Sequence, residues 1–99
     1  MVDVRLRPRA ELDFIEIGHY SRQQWSEAQA EIYLKQLLQI IRQIGDQPKS
    51  GQKMDHVRSQ YRSRRAGAHL IFYVVVSDGS VEIIRILHEK TDVVRHLPE

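Results

Sequence analysis

Arg58, Arg62, Arg64 and Arg65 crowd one short stretch of the chain. With Lys49 and Lys53 they set six cations against the single carboxylate of Asp55 between residues 49 and 65. Clustered guanidiniums suit bidentate contacts to carboxylate or phosphate, and the local field favours an acidic partner. If the stretch is a strand, alternate residues share a face, so Arg58, Arg62 and Arg64 line up while Arg65 sits across from them or at the turn. Two readings are open: a surface that seeks acid, or a solvated edge strand that charge protects from aggregation.

Arg85 poses a different problem, because it interrupts the apolar run Ile83-Ile84-Arg85-Ile86-Leu87. A charge in a central strand has to be paired, or to reach a groove on the open face of the sheet. Glu82 is a poor partner, since odd spacing sends it to the opposite face. His88, Asp92 and His96 recur at i, i+4, i+8, the spacing of metal ligands on one continuous helix. His88 closes a strand, however, and there is no cysteine and no HExxH motif, so neither a metal nor any other cofactor is expected. A second chemistry open to the histidines is acid–base work on RNA, with an imidazole moving the 2′-hydroxyl proton and a cation stabilising the phosphorane. Ser26 is a helix cap, not a nucleophile: no GxSxG and no GxxxxGK loop occurs.

These residues need elements to hold them. His69 to Val76 is an unbroken apolar and aromatic run, Val81 to His88 is another, and Ser77-Asp78-Gly79-Ser80 lies between them. The Asp78-Gly79 pair supplies the positive-φ residues of a tight turn, which predicts an antiparallel hairpin at the middle of a sheet. Val2, Val4 and Leu6 alternate as a first short strand. Pro8 then opens a helix with Ala10, Phe14 and Ile17 on its apolar seam, reaching Arg22 or Gln24, while Arg9, Glu11, Asp13 and Glu16 point elsewhere. Ser26-Glu27-Ala28-Gln29 is a capping box. It starts a second helix with Ala30, Tyr33, Leu34, Leu37, Ile41 and Ile44 in its stripe and Gly45 as its stop. The two helices form an αα-hairpin, and Tyr20 and Trp25 pack to brace its turn.

After the loop from Gly45 to Gly51, alternation resumes from His56 or Val57 to Arg65. Ala66-Gly67-Ala68 turns the chain into the central hairpin, and Thr91 caps a short last helix that Pro98 stops. The order is βααβββ, an α+β fold with two helices on one face of a largely antiparallel sheet.

Ninety-nine residues make one domain, and 41% hydrophobic with 28% charged residues is an ordinary globular composition. The absence of cysteine gives no sign of an oxidising compartment, and the N-terminus lacks the pattern of a signal peptide. No apolar run approaches the roughly 18 residues of a membrane span. A cytoplasmic protein is expected.

Taken together, Ala10-x-x-Asp13-Phe14-x-x-Ile17-x-x-Tyr20, Trp25, Ala28 to Leu37, Pro48-x-x-Gly51, Tyr61-Arg62, His69-Leu70-Ile71-Phe72-Tyr73 and Glu82-Ile83-Ile84-Arg85-Ile86-Leu87-His88-x-x-x-Asp92 resemble the ParE-type toxins of the RelE/ParE superfamily. The resemblance spans nearly the whole chain. It implies the toxin of a bacterial type II toxin–antitoxin pair, held inactive by a ParD-like antitoxin and inhibiting DNA gyrase when freed, with no DNA binding except through the antitoxin. On this reading an apolar groove with a basic rim takes an amphipathic helix and then an extended strand. The residues that meet antitoxin or target are Arg58, Arg62, Arg64, Arg65, His69, Arg85, His88, Lys90 and Asp92.

The RelE-type relatives are ribosome-dependent mRNA nucleases, and this is the alternative. Arg65 falls where such nucleases keep an arginine and Lys90 near another. Lys49 and Lys53 are not in the nuclease arrangement, however, and Arg95-His96 replaces the C-terminal aromatic. No catalytic residues are expected.

Overall fold

The computed structural model describes residues 2–98. In chain order it has β1 (Val4–Leu6), α1 (Pro8–Gln24), α2 (Glu27–Asp46), a 3-10 turn at Pro48–Ser50, β2 (Gln52–Lys53), β3 (Arg62–Ala66), β4 (His69–Val75), β5 (Val81–His88) and α3 (Val93–His96). The strands form one sheet in the order β1-β5-β4-β3-β2, antiparallel except for β1, which lies parallel to β5 with Val4 opposite Val81 and Leu6 opposite Ile83. The α+β class and the two helices on one face are as the sequence predicts. Gly79 alone supplies the positive φ (88°) at the β4–β5 turn, while Asp78 accepts from the Ser80 N–H and hydroxyl.

Several boundaries differ, each for a local reason. Ser26 caps α2 by accepting from the Gln29 N–H at 3.0 Å, but Gly45 does not stop that helix. It lies buried inside the last turn, and the helix runs on to Asp46. The alternating stretch 56–65 is a strand only from Arg62. Residues 54–61 instead fold as turns, with Met54 O accepting from the Val57 and Arg58 N–H groups and Gln60 at φ 69°. Period-two hydrophobicity cannot tell such a turn from a strand when one apolar residue, Val57, tucks inward. The N-cap of α3 is Asp92, not Thr91.

The sheet is covered on both faces. Ala10, Ile17, Leu37, Ile41 and Ile44 of the helices pack on Ile71, Tyr73, Val81, Ile83 and Ile86. On the other face Tyr61, Phe72, Ile84, Leu87 and Leu97 form a second cluster, flanked by Met54, Val57 and Val93. The face expected to be open is thus closed by the 54–61 turns and by the C-terminal strap. Side chains that donate to the strap's carbonyls fasten it: Arg58 to Val94, Arg85 to His96 and Tyr61 to Pro98, at 2.8–3.1 Å.

Register slips once between β4 and β5: Phe72 opposes Arg85, and Tyr73 opposes Ile83. Ile84 is the extra residue of a bulge. Facial alternation therefore breaks there, with Ile83 and Ile86 in one core and Ile84 and Leu87 in the other. Arg85 sits at the slip.

Gly51 anchors the loop after α2. Its N–H donates to the Tyr73 hydroxyl, which donates to Pro48 O at 2.7 Å. A Cβ on Gly51 would stand 2.4 Å from that hydroxyl and 2.9 Å from the backbone oxygen of Ser63. Gly51→Ala is expected to destabilise the fold by about 1–3 kcal/mol through overpacking, read as a lower urea midpoint at unchanged m-value.

Candidate functional site

β1 stops pairing at Leu6, opposite Ile83, so the rest of β5 has no strand on that side. Helix α1 runs past this open edge, and between them lies a groove with a cavity volume of about 560 Å³. Asp13 stands at its base, 5% exposed. Its carboxylate accepts from Arg85 Nε at 2.7 Å and Arg85 Nη2 at 3.0 Å, and from the Ile86 N–H at 3.0 Å. Arg9 Nη1 is 3.0 Å from the same carboxylate and 4.0 Å from Glu16. Asp13 thus replaces the missing strand at one edge N–H and neutralises the arginine that the bulge turns toward α1. Arg85 is a paired structural cation. Its remaining nitrogen Nη1 donates to His96 O.

His69 and His88 face each other across β4 and β5 and line the groove beside Tyr20 and Thr91. Their rings are edge to face at 5.4 Å, the end of an aromatic ladder that runs Trp25, Tyr33, His69, His88 with steps of 5.4–5.7 Å. Half-burial, and then the neighbouring His88, push the His69 pKa below its ordinary value. Burial raises that of Tyr33. Trp25 and Tyr20 are not packed away as expected but 49% and 62% exposed. Trp25 leans its edge on Tyr33, and Tyr20 stands on the groove rim.

The expected basic row is divided among three places. Arg62 and Arg64 share the helix side of β3, where Arg62 donates to Lys49 O and Gly51 O, and Arg64 to Ser50 Oγ and Gln43 Oε1. All four acceptors are neutral, so the positive charge persists at the surface beside Lys49 and Lys53. Arg65 lies across the strand and pairs with Glu89 at 2.8 Å, which holds that carboxyl below its usual range. Arg58 is not on the strand. It sits in the 54–61 turns, bonded to Val57 O and Val94 O.

Lys90 and Asp92 follow β5 in a turn. The Lys90 N–H donates to His88 Nδ1, and Asp92 O bonds His96 Nδ1, so His88, Asp92 and His96 are not the single helical row that their spacing allows. His69, His88 and Arg85 therefore meet in the groove, while Arg62 and Arg64 form a separate patch. Arg9 and Asp13 were missed. The signal was present for Asp13, which stands three residues after Ala10 and four before Ile17, on the buried stripe of α1.

A family model described as "ParE toxin of type II toxin-antitoxin system, parDE" matches residues 4–93. The chain belongs to this ParE toxin family. Among ParE relatives, a protein of Caulobacter vibrioides named "Toxin ParE1" is 38% identical over 97 residues, covering 98% of this chain and 99% of that one. A "Toxin ParE1" of Mycobacterium tuberculosis is 36% identical over 92 residues, 93% and 94% of the two chains. A solved structure titled "Chromosomal ParDE TA system from P. aeruginosa" superposes with a TM-score of 0.76 over 89% of this chain and 96% of its own, at 12% identity. This last likeness establishes the shared ParE fold. Among the described residues no helix is long and apolar enough to cross a membrane.

Proposed function

We propose that this ParE-family chain is silenced when a ParD-like antitoxin fills the α1/β5 groove, and that once released it inhibits DNA gyrase in the cytoplasm by contact, without catalysis. The observation that carries the proposal is the patch of Arg62, Arg64, Lys49 and Lys53. Its guanidiniums are held rigid by neutral acceptors and enter no ion pair among the described residues. A preorganised, uncancelled cationic surface suits an acidic protein face, because little side-chain entropy remains to be lost on binding.

RNA cleavage is disfavoured by the groove's own charges. The two histidines share it with Asp13 and Glu16, while Arg9 and Arg85 are already engaged by those carboxylates. A phosphodiester entering there would find these charges already cancelled and no free guanidinium to stabilise the charge that develops on it.

The test is a supercoiling assay with purified gyrase and the purified chain, beside co-purification with a ParD-like antitoxin. The Lys49→Glu, Lys53→Glu double variant leaves the Arg62 and Arg64 hydrogen bonds in place. It is expected to weaken inhibition at least about tenfold, the scale of one lost charge-assisted contact of about 1.5–3 kcal/mol. Unaltered supercoiling at stoichiometric excess of the wild-type chain rejects the gyrase target, and mRNA cleavage on translating ribosomes would establish the nuclease instead.

A further inference from the structure

Hydrogen bonds behind the groove fix the directions of the two imidazoles that line it. The Tyr33 hydroxyl meets Ala66 O at 3.2 Å, the Ala68 N–H at 3.0 Å and His69 Nδ1. A phenol has one proton. All three contacts are hydrogen bonds at once only if that proton goes to Ala66 O, while the oxygen accepts from the Ala68 N–H and from a protonated His69 Nδ1. Neutral His69 then has a bare Nε2. His88 is the converse: its Nδ1 accepts from the Lys90 N–H, so in the neutral ring the proton is on Nε2. These tautomers are assigned from the hydrogen-bond network. The two nitrogens left to the groove are one acceptor and one donor, on rings 5.4 Å apart.

We infer that His69 and His88 form a clamp for an amide group, His69 accepting its N–H and His88 donating to its C=O, which fastens an extended segment of a protein partner along the open edge of β5. The inference rests on the proposed antitoxin-filled groove and deepens it. An amide fits better than an anion because the groove's ionic groups close on one another: Arg85 and Arg9 with Asp13, and Arg9 also with Glu16. A neutral group that both donates and accepts is what the remaining nitrogens match. The edge of β5 lacks a strand partner past Ile83 and Asp13 occupies its Ile86 N–H, so an extended chain meets β5 at its His88 end, with its peptide groups beside the two rings.

The clamp gives partner binding a definite pH response. Protonating His69 turns its acceptor into a donor and removes one half of the clamp. The other charged or titratable groups around the ring are Tyr33 from α2, Asp13 from α1, and His88 and Glu89 from the end of β5. Arg65 of β3 is spent on Glu89, and His96 also lines the groove. Binding that requires neutral His69 weakens on acidification, by up to about tenfold per pH unit once the ring takes up its proton. A simple charge attraction between protonated histidines and an acidic antitoxin would do the opposite.

Two measurements test this. In the free chain at pH 7.5, nitrogen-15 spectra of the imidazoles are expected to show His69 protonated at Nδ1 and His88 at Nε2; the reverse assignment for either ring overturns the clamp. The affinity of the co-purified ParD-like antitoxin is then measured from pH 8 to pH 5.5. It is expected to hold through the ordinary imidazole range and to fall only on the acid side of it, because burial and the neighbouring His88 hold His69 low. His69→Gln, which keeps an acceptor near the Nε2 position, should hold the neutral-pH affinity within about threefold and abolish the acid loss, whereas His69→Leu should weaken binding about tenfold or more. Equal affinity of His69→Leu and wild type, or tighter binding on acidification, overturns the clamp and leaves the antitoxin reading standing. No complex with a ParD-like antitoxin under any condition overturns both.

Discussion

Replacing Asp13 with alanine is expected to lower the unfolding free energy by about 3–5 kcal/mol, because it strands a buried guanidinium. A small domain has only about 5–15 kcal/mol in all. Arg85 is 9% exposed in the native fold, and without Asp13 its Nε and Nη2 lose their acceptors while the Ile86 N–H loses its own. Water reaching through the groove recovers part of this, which places the figure below the full desolvation cost of an isolated ion. The companion experiment separates the pair from the packing. Asp13→Leu combined with Arg85→Met removes both charges and is expected to be far less harmful than Asp13→Ala alone, since an ion pair exchanged for apolar groups of similar volume is often near neutral. Urea denaturation of the three proteins checks it. A loss below about 1 kcal/mol for Asp13→Ala would mean that the pair is solvent-screened as a surface pair is.

Leu97→Ala is the second large effect, at about 2–5 kcal/mol. Leu97 is 3% exposed and closes the second cluster over Tyr61, Phe72, Ile84 and Leu87. Around it the strap is held mainly by donors from other elements, Arg58, Arg85 and Tyr61, and α3 is only four residues long. Truncating the one deeply inserted side chain is therefore expected to loosen the whole strap. Faster amide hydrogen exchange across residues 92–98, together with new binding of a hydrophobic dye, checks it. Loss of stability with unchanged exchange there would show that the strap is held without Leu97.

How much of this was legible in the sequence depended on the range of the physics. The two helices and the β4–β5 hairpin follow from local periodicity, a proline at the first turn of α1, a serine cap and a glycine turn, and all of these appear where predicted. The apolar run around Arg85 demands a partner for it, but that partner is 72 residues away. Sequence order says nothing about which helix face meets which strand edge, and the bulge that aims Arg85 leaves no mark in the composition. The 54–61 segment failed for a complementary reason. Its alternation is real, but the inward residues Val57 and Tyr61 reach the second core from turns. The arginine cluster was found by charge alone, and its division into a patch, an ion pair and a strap fastener depends on strand register.

The parallel pairing of β1 with β5 has a consequence for how the chain comes off the ribosome. Val4 waits for Val81, 77 residues later, an interval of roughly 4–15 s at about 5–20 residues per second of synthesis. Until then α1 and α2 have no complete sheet to cover, and the Asp13–Arg85 pair cannot close. Such late, long-range closure is slow. The first strand and both helices therefore stay without their complete support until Val81–Ile83 has been made, so the order of synthesis leaves the sheet's parallel edge among the last parts of the fold to close.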